Sequence, residues 1–113
     1  MKEGDIVLTL LPQSDGKSKL RPALALRFMP PFNDFLVCGI SSQLHQRVKD
    51  FDEIIDSNDA DFKQCGLLQS SLVRLGFLAV LPTKSIAGNI GSISPIRHEK
   101  LLKNLSEYLH KKT

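Results

Sequence analysis

At 113 residues the chain has the length of one domain, residues 1–113, and its 42% hydrophobic and 24% charged residues are the balance of an ordinary folded globule, which excludes a disordered or fibrous chain. Its two cysteines, Cys38 and Cys65, fit a reducing cytoplasm better than an exported disulfide scaffold; they form no CxxC pair, and no His/Cys cluster has zinc-ligand spacing, so we expect a metal-free, cofactor-free cytoplasmic protein. The net charge is +3 but uneven: residues 50–61, DFDEIIDSNDAD, hold six of the twelve acidic residues and no Lys or Arg, leaving 15 basic residues against six acidic elsewhere. Such a body suits a polyanion partner, and it equally describes a solvated surface with one acidic loop.

Met1–Asp5 lack the charged-then-apolar layout of a signal peptide, and no apolar run approaches roughly 18 residues, so no membrane span is expected. GDIVLTLLP (4–12) predicts a first strand between a Gly-Asp turn and Pro12. After the loop QSDGKSK, LRPALALRF (20–28) predicts a second, with Pro22 tolerated near its start because proline donates nothing to the ladder. MPPFND (29–34) is a breaker, and FLVCGI (35–40) predicts a short third strand buried on both faces. A fourth is expected around Phe51–Ile55. SLVRLGFLAVL (71–81) predicts a long strand with a bulge or bend at Gly76, PTKSIAGN reads as irregular, and IGSI (90–93) as a last short strand. The one helix expected is SPIRHEKLLKNLSEYLHKK, with Ser94 as N-cap, Pro95 at the first helical position and lysines closing its end. Leu101, Leu102, Leu105, Tyr108 and Leu109 form its apolar face. The sum is a mainly β protein with a C-terminal helix, a small barrel-like sheet packed against that helix.

Alternate side chains of a strand face opposite ways, which puts Leu20, Pro22, Leu24, Leu26 and Phe28 on one face of the second strand and Arg21, Ala23, Ala25 and Arg27 on the other. Two arginines separated by alanines make either a solvated amphipathic strand or a grip on phosphate, for which arginine's fixed fork of donors is suited. Lys17 and Lys19 add charge just before them. The third strand runs into GISSQLHQ (39–46), so Ser41, Ser42, Gln43 and His45 emerge at a strand end, where turn residues and functional groups both collect. Arg74, inside the apolar SLVRLGFL, must be paired, snorkelling or lining a cleft. His98 and His110 read as solvated, Cys38 as a small core residue and Cys65 as part of a polar turn.

In their order and spacing, GDIVL, KLRPALAL, GISSQ and GLLQSSLVRL resemble the signature of the MazF/PemK (Kid-like) toxin family of type II toxin–antitoxin systems. That signature has an opening Gly-Asp strand, a loop ending in Arg-Pro, a strand finishing in Ile-Thr-Ser/Ala-Gln and a later Ser…Val-Arg strand. The resemblance runs from EGDIV to the terminal helix. It implies a small Src-homology-3-like β-barrel of the CcdB/PemK/MazF toxin type that forms a homodimer. The implied activity is that of a metal-independent endoribonuclease (mRNA interferase) cutting single-stranded RNA at short sequences, inhibited by a small cognate antitoxin protein. By position, Arg21 takes the place of the family's catalytic arginine, Ser41 that of its catalytic threonine, and Arg74 that of a further arginine in the site. Ser42 and Gln43 fall where the family contacts RNA, and Lys17, Lys19 and Arg27 complete the expected RNA-binding set. Two departures stand out. The family usually carries an acid and then a glutamine after the later arginine, where this chain has Gly76-Phe77, and QSDGKSK lacks the histidine some members hold in that loop.

Metal-free RNA cleavage uses the adjacent 2′-OH as nucleophile and leaves a 2′,3′-cyclic phosphate and a 5′-OH. Arginines stabilise the charge building on the phosphate, and a base must take the 2′ proton. With the family acid absent, His45 is the candidate base and Asp15 a second one. The Gly76-Phe77 departure raises an alternative, a catalytically weakened relative that binds RNA or antitoxin without cutting. A CcdB-like poison of DNA gyrase is a third reading; the C-terminal LHKKT offers no apolar or aromatic tip for it.

Overall fold

The computed structural model describes residues 1–12, 16 and 18–112. Lys17 and Asp15, two of the candidate site residues, lie outside the described residues, as does Thr113 of the C-terminal tip. Six strands form one antiparallel sheet: β1 (Asp5–Pro12), β2 (Ser18–Met29), β3 (Asp34–Ser41), β4 (Glu53–Ile55), β5 (Ser71–Leu81) and β6 (Ile86–Ser92), in the spatial order β4-β5-β3-β2-β1-β6. Two helices, α1 (Phe62–Cys65) and α2 (Pro95–His110), complete the described chain with 3-10 turns at Leu44–Gln46 and Thr83–Ser85. The protein is mainly β with a C-terminal helix, as expected. Its edge strands β4 and β6 do not pair with each other among the described residues, so the sheet is open and barrel-like only loosely.

The opening Gly-Asp has a physical cause. Gly4 sits at φ 94°, a conformation that costs a residue with a side chain, while its N–H donates to the Ala25 carbonyl and its own carbonyl accepts from Ile93. Asp5 is buried, and its carboxylate accepts from the Lys2 N–H and the Asn89 amide, both at 2.8 Å, which fastens the first strand to the last. The sheet is apolar on both sides. One face, with Ile6, Leu24, Cys38, Ile40 and Val73, packs beneath Leu101 and Leu105 of α2. The other buries Val7, Ala23, Ala25, Phe35 and Val37 under Phe77, Leu81 and Ile86. Each large aliphatic side chain wholly removed from water contributes on the order of 2 kcal/mol. The chain from β5 to β6 crosses this second face through the turn at Thr83–Ser85, where the Thr9 hydroxyl donates to the Ser85 carbonyl at 2.9 Å.

Several expectations change in detail. β6 begins at Ile86, so PTKSIAGN is irregular only to Ser85: small residues that lack strand propensity become a strand by pairing with β1. Ala23 and Ala25 are wholly buried, so the face they share with Arg21 is a packed core face, not a bare cationic one. A bulge between Ala25 and Arg27 sets Arg27 opposite Leu36 instead of continuing the alternation, which turns it away from the face of Arg21; its guanidinium lies 3.8 Å from Glu3. Pro22 lies one residue before the β3 ladder begins at Ala23, so its missing N–H takes nothing from that ladder.

In α2, Ser94 caps as expected, accepting from the Arg97 N–H at 3.2 Å, and Leu101 and Leu105 are buried. Tyr108 and Leu109 are exposed instead; the Tyr108 ring packs against Phe51 at a tilt, with ring centroids 4.8 Å apart. His98 is half-buried, its Nε2–H donating to the Leu26 carbonyl at 2.8 Å. Cys65 is wholly buried at the end of α1, and burial pushes its thiol up to about 11. Cys38, in the core as expected, has its thiol raised further by the same desolvation. No helix among the described residues is long and apolar enough to cross a membrane.

α1 is pressed onto β6 with no room for side chains between them. Gly66 closes the helix at φ 72°, and a Cβ there would run into the Ile90 carbonyl; one on Gly91 would meet the backbone of Gln64 and Cys65. Gly66→Ala is therefore expected to destabilise the fold by about 2 kcal/mol or more, since it combines left-handed strain with a backbone clash. Urea unfolding checks this, and a midpoint equal to wild type would show that α1 shifts without cost.

Candidate active site

Register fixes which candidate residues meet. On β2, Lys19, Arg21 and Ala23 share a face; on β3, Val37, Gly39 and Ser41 lie on the same side of the sheet, because Ala23 opposes Gly39 and Ala25 opposes Val37. On β5, Arg74 opposes Gly39 and Leu72 opposes Ser41. Arg21, Ser41 and Arg74 therefore project from one side of three adjacent strands. Gly39 lies on the strand between those of the two arginines, whose backbones are on the order of 12 Å apart by strand spacing. Arg21 and Lys19 are exposed, and Ser41 and Arg74 are half-buried.

β3 ends at Ser41, and a polar turn follows. The Ser41 hydroxyl accepts from the Gln43 N–H at 3.0 Å, which folds the chain back so that the 3-10 turn Leu44–Gln46 lies against β5. Ser42, Gln43 and His45 are exposed on this turn, next to the strand that carries Arg74. The register thus puts Lys19, Arg21, Ser41 and Arg74 on one side of the sheet, Ser42, Gln43 and His45 follow on the turn after Ser41, and Arg27 is separated from them.

The bulge expected at Gly76 is present and large. Gly39 opposes Arg74 while Cys38 opposes Leu78, so Leu75, Gly76 and Phe77 have no partner on β3. Phe77 folds its ring over Gly39: a Cβ added there would be 3.3 Å from the ring, so only glycine at 39 leaves it this room. Phe77 thus joins the core of the second face, whereas a glutamine would offer a polar amide. Gly76 is exposed, with nothing within 4 Å of where a Cβ would stand.

Two residues of structural weight near the site are not among the sequence candidates. Asp52 is buried, and its carboxylate accepts backbone N–H bonds from Val48 at 2.9 Å and from Leu75 at 3.0 Å. Its one signal is position: an acid immediately before the apolar strand Glu53–Ile55, where such side chains commonly satisfy backbone donors. Arg97 of α2 gathers the acidic segment: it reaches Asp61 through Nε at 2.8 Å and Nη2 at 3.0 Å, Asp59 at 2.8 Å, Glu53 at 3.4 Å and the Ile54 carbonyl at 3.1 Å. The hydrogen-bonded Arg97 guanidinium holds the Asp61 carboxyl below the usual carboxylate range, and Asp61 in turn raises Arg97. Half of the acidic band is therefore a structural joint, not a free surface. Among the described residues no group of three His, Cys, Asp or Glu side chains is placed to hold a metal ion.

A small open antiparallel sheet backed by a C-terminal helix is a fold also found in a solved toxin structure. The solved structure of Mycobacterium tuberculosis toxin MazF-mt6 shares it, with a TM-score of 0.69 over 96% of this chain and 99% of that one at 20% sequence identity, a likeness that shows the fold. The family model for the PemK-like, MazF-like toxin of type II toxin–antitoxin systems matches residues 2–109, and the chain belongs to that family. No curated protein sequence matches it.

Proposed function

We propose that this chain is a metal-independent endoribonuclease toxin that cuts single-stranded RNA, mRNA included, at short sequences. The observation that carries the reading is the register that sets Arg21, Ser41 and Arg74 on one side of β2, β3 and β5, within a chain of a toxin family. The 2′-OH attacks the adjacent phosphorus, the bond to the 5′ oxygen breaks, and a 2′,3′-cyclic phosphate and a 5′-OH result. Arg21 and Arg74 stabilise the charge on the phosphate oxygens, donors that need no reorganisation as that charge grows. Ser41 donates a hydrogen bond to the phosphate. His45 takes the 2′ proton, imidazole being the side chain suited to that task near neutrality, and the departing 5′ oxygen takes a proton from water to leave as the 5′-OH. Lys19, Ser42 and Gln43 hold the flanking nucleotides, whose unstacked bases are read by hydrogen bonds and stacking.

Incubation of the protein with a long unstructured RNA and EDTA tests this. Discrete new 5′-OH ends, paired with cyclic phosphates, are the expected result; intact RNA at micromolar protein sinks it. The partners proposed are a cognate antitoxin protein and a second copy of the chain. The outer edge of β5 beyond its pairing with β4, where Leu78 and Val80 are 40% and 52% exposed, offers surface for the second copy.

A second reading is favoured by one specific observation. Phe77 is spent on core packing and Gly76 carries no carboxylate, so a protein that binds RNA or antitoxin without turnover fits the same face. Gly76→Glu separates the two. The open space there accepts the side chain, and an acid beside Arg74 is expected to raise cleavage about tenfold or more. An unchanged rate would show that no base is missing in the wild type.

A further inference from the structure

Asp52 stands outside every role assigned so far, yet it is the most fully engaged acid near the site. It is 4% exposed, and its hydrogen-bond partners are backbone N–H groups, not a cation. β4 pairs with β5 only through Glu53↔Val73, Ile54↔Leu72 and Ile55↔Ser71, so the ladder stops just where Asp52 would face Arg74. On the other side of β5, the β3 ladder breaks after Arg74 for three residues. The Leu75 N–H thus lies in a gap between two ladders, and a buried N–H must find an acceptor. Asp52 Oδ1 supplies it at 3.0 Å.

The second oxygen does a different task. Oδ2 accepts from the Val48 N–H at 2.9 Å, and the Asp52 N–H returns a bond to the Val48 carbonyl at 2.9 Å. One carboxylate therefore ties two pieces of chain together. The first begins directly after Arg74; the second ends the polar turn that starts at Ser42 and carries His45. Charge-assisted bonds from both segments to a single buried group fix their spacing more tightly than either strand ladder does there.

We propose that Asp52 is a positioning residue of the active site, holding Arg74 and the Ser42–Arg47 turn at the separation that RNA cleavage needs. The proposal rests on the endoribonuclease reading for its functional consequence. Asp52→Asn is the informative change: the amide keeps the shape but turns one of its two atoms into a donor, so one of the two N–H bonds is lost. Leu101→Ala is the comparison, because it loosens the core under α2 on the opposite side of the sheet and touches no site residue.

Two readouts decide the matter, both taken well below the melting temperature of either variant. In amide hydrogen exchange, Asp52→Asn is expected to speed exchange at Leu75 or Val48 while Leu72 and Val73, still in their ladders, stay slow. In single-turnover cleavage with EDTA present, it is expected to lower the rate at saturating RNA by about 10- to 100-fold, the scale of a misplaced catalytic group, whereas Leu101→Ala keeps the wild-type rate. Wild-type exchange at both amides overturns the proposal whatever the RNA does. Unchanged cleavage despite faster exchange, or an equal loss in Leu101→Ala, also overturns it. If the wild type itself leaves RNA intact, the proposed function falls on that result alone. Affinity for single-stranded RNA then replaces the rate: weaker binding by Asp52→Asn than by Leu101→Ala supports the positioning role, and equal affinity overturns it.

Discussion

If the proposed endoribonuclease reading holds, Arg21→Ala is expected to lower the cleavage rate by about 10²–10³-fold, the cost of removing one preorganised donor of charge stabilisation, and to leave the melting temperature close to wild type. The separation of the two effects follows from where Arg21 stands. Its neighbours on the same face, Ala23 and Ala25, are buried in the core, whereas Arg21 is exposed at the entry of β2, and exposed substitutions away from special features usually change stability by no more than about 0.5 kcal/mol. Lysine at this position keeps the charge but not the planar fork that engages two phosphate oxygens at once. Arg21→Lys is therefore expected to recover only part of the lost rate. The measurement is single-turnover cleavage of the mapped RNA in EDTA, with thermal unfolding of each variant alongside. A tenfold or smaller loss in Arg21→Ala would place the main phosphate contact on another side chain, with Arg74 the next to substitute.

Most of the sheet was legible in the sequence because its strands announce themselves by apolar runs between breakers. SLVRLGFLAVL appears as the strand Ser71–Leu81 with its bulge beside Gly76, and SPIRHEKLL begins a helix on Ser94 and Pro95. The site was legible in part, as a set of residues on particular strands; that Arg21, Ser41 and Arg74 share one side depends on register, which follows from pairing between segments far apart in the chain. Arg27 shows the limit. Strict alternation puts it on the face of Arg21, and a one-residue bulge that no local signal marks turns it to the other face. Asp52 and Arg97 were missed for a related reason. Each is an ordinary charged residue until tertiary structure brings it backbone donors or a ring of carboxylates from residues distant in sequence. α1 is only four residues long, too short for a periodic pattern to exist.

Arg97→Ala is expected to cost about 3–5 kcal/mol, the range for removing one partner of a buried ion pair and leaving the other uncompensated, a large share of the 5–15 kcal/mol typical of whole-domain stability. The Arg97 side chain is only 12% exposed and that of Asp61 only 7%. Without the guanidinium, Asp61 keeps the neutral Ser94 as donor, its N–H at 3.2 Å, while Asp59 and Glu53 lose the cation that draws the acidic segment onto α2. Lys100 does not replace it: its contact with Glu53 at 3.2 Å is on a side chain 61% exposed, and such pairs contribute little. The acid dependence gives a second, independent signature. Arg97 holds the Asp61 carboxyl below its ordinary value of about 3.9. A carboxyl depressed in the folded state stabilises fully above its unfolded value, and that stabilisation is lost as pH falls through the folded value. The wild type is therefore expected to lose stability below about pH 4, and the gap between wild type and Arg97→Ala to narrow over the same range, because the variant has no such contribution to lose. Urea unfolding at neutral pH and at several acidic pH values measures both. A gap that stays constant into acid would mean that Arg97 stabilises through packing of its stem and its bond to the Ile54 carbonyl, with the carboxylates as bystanders.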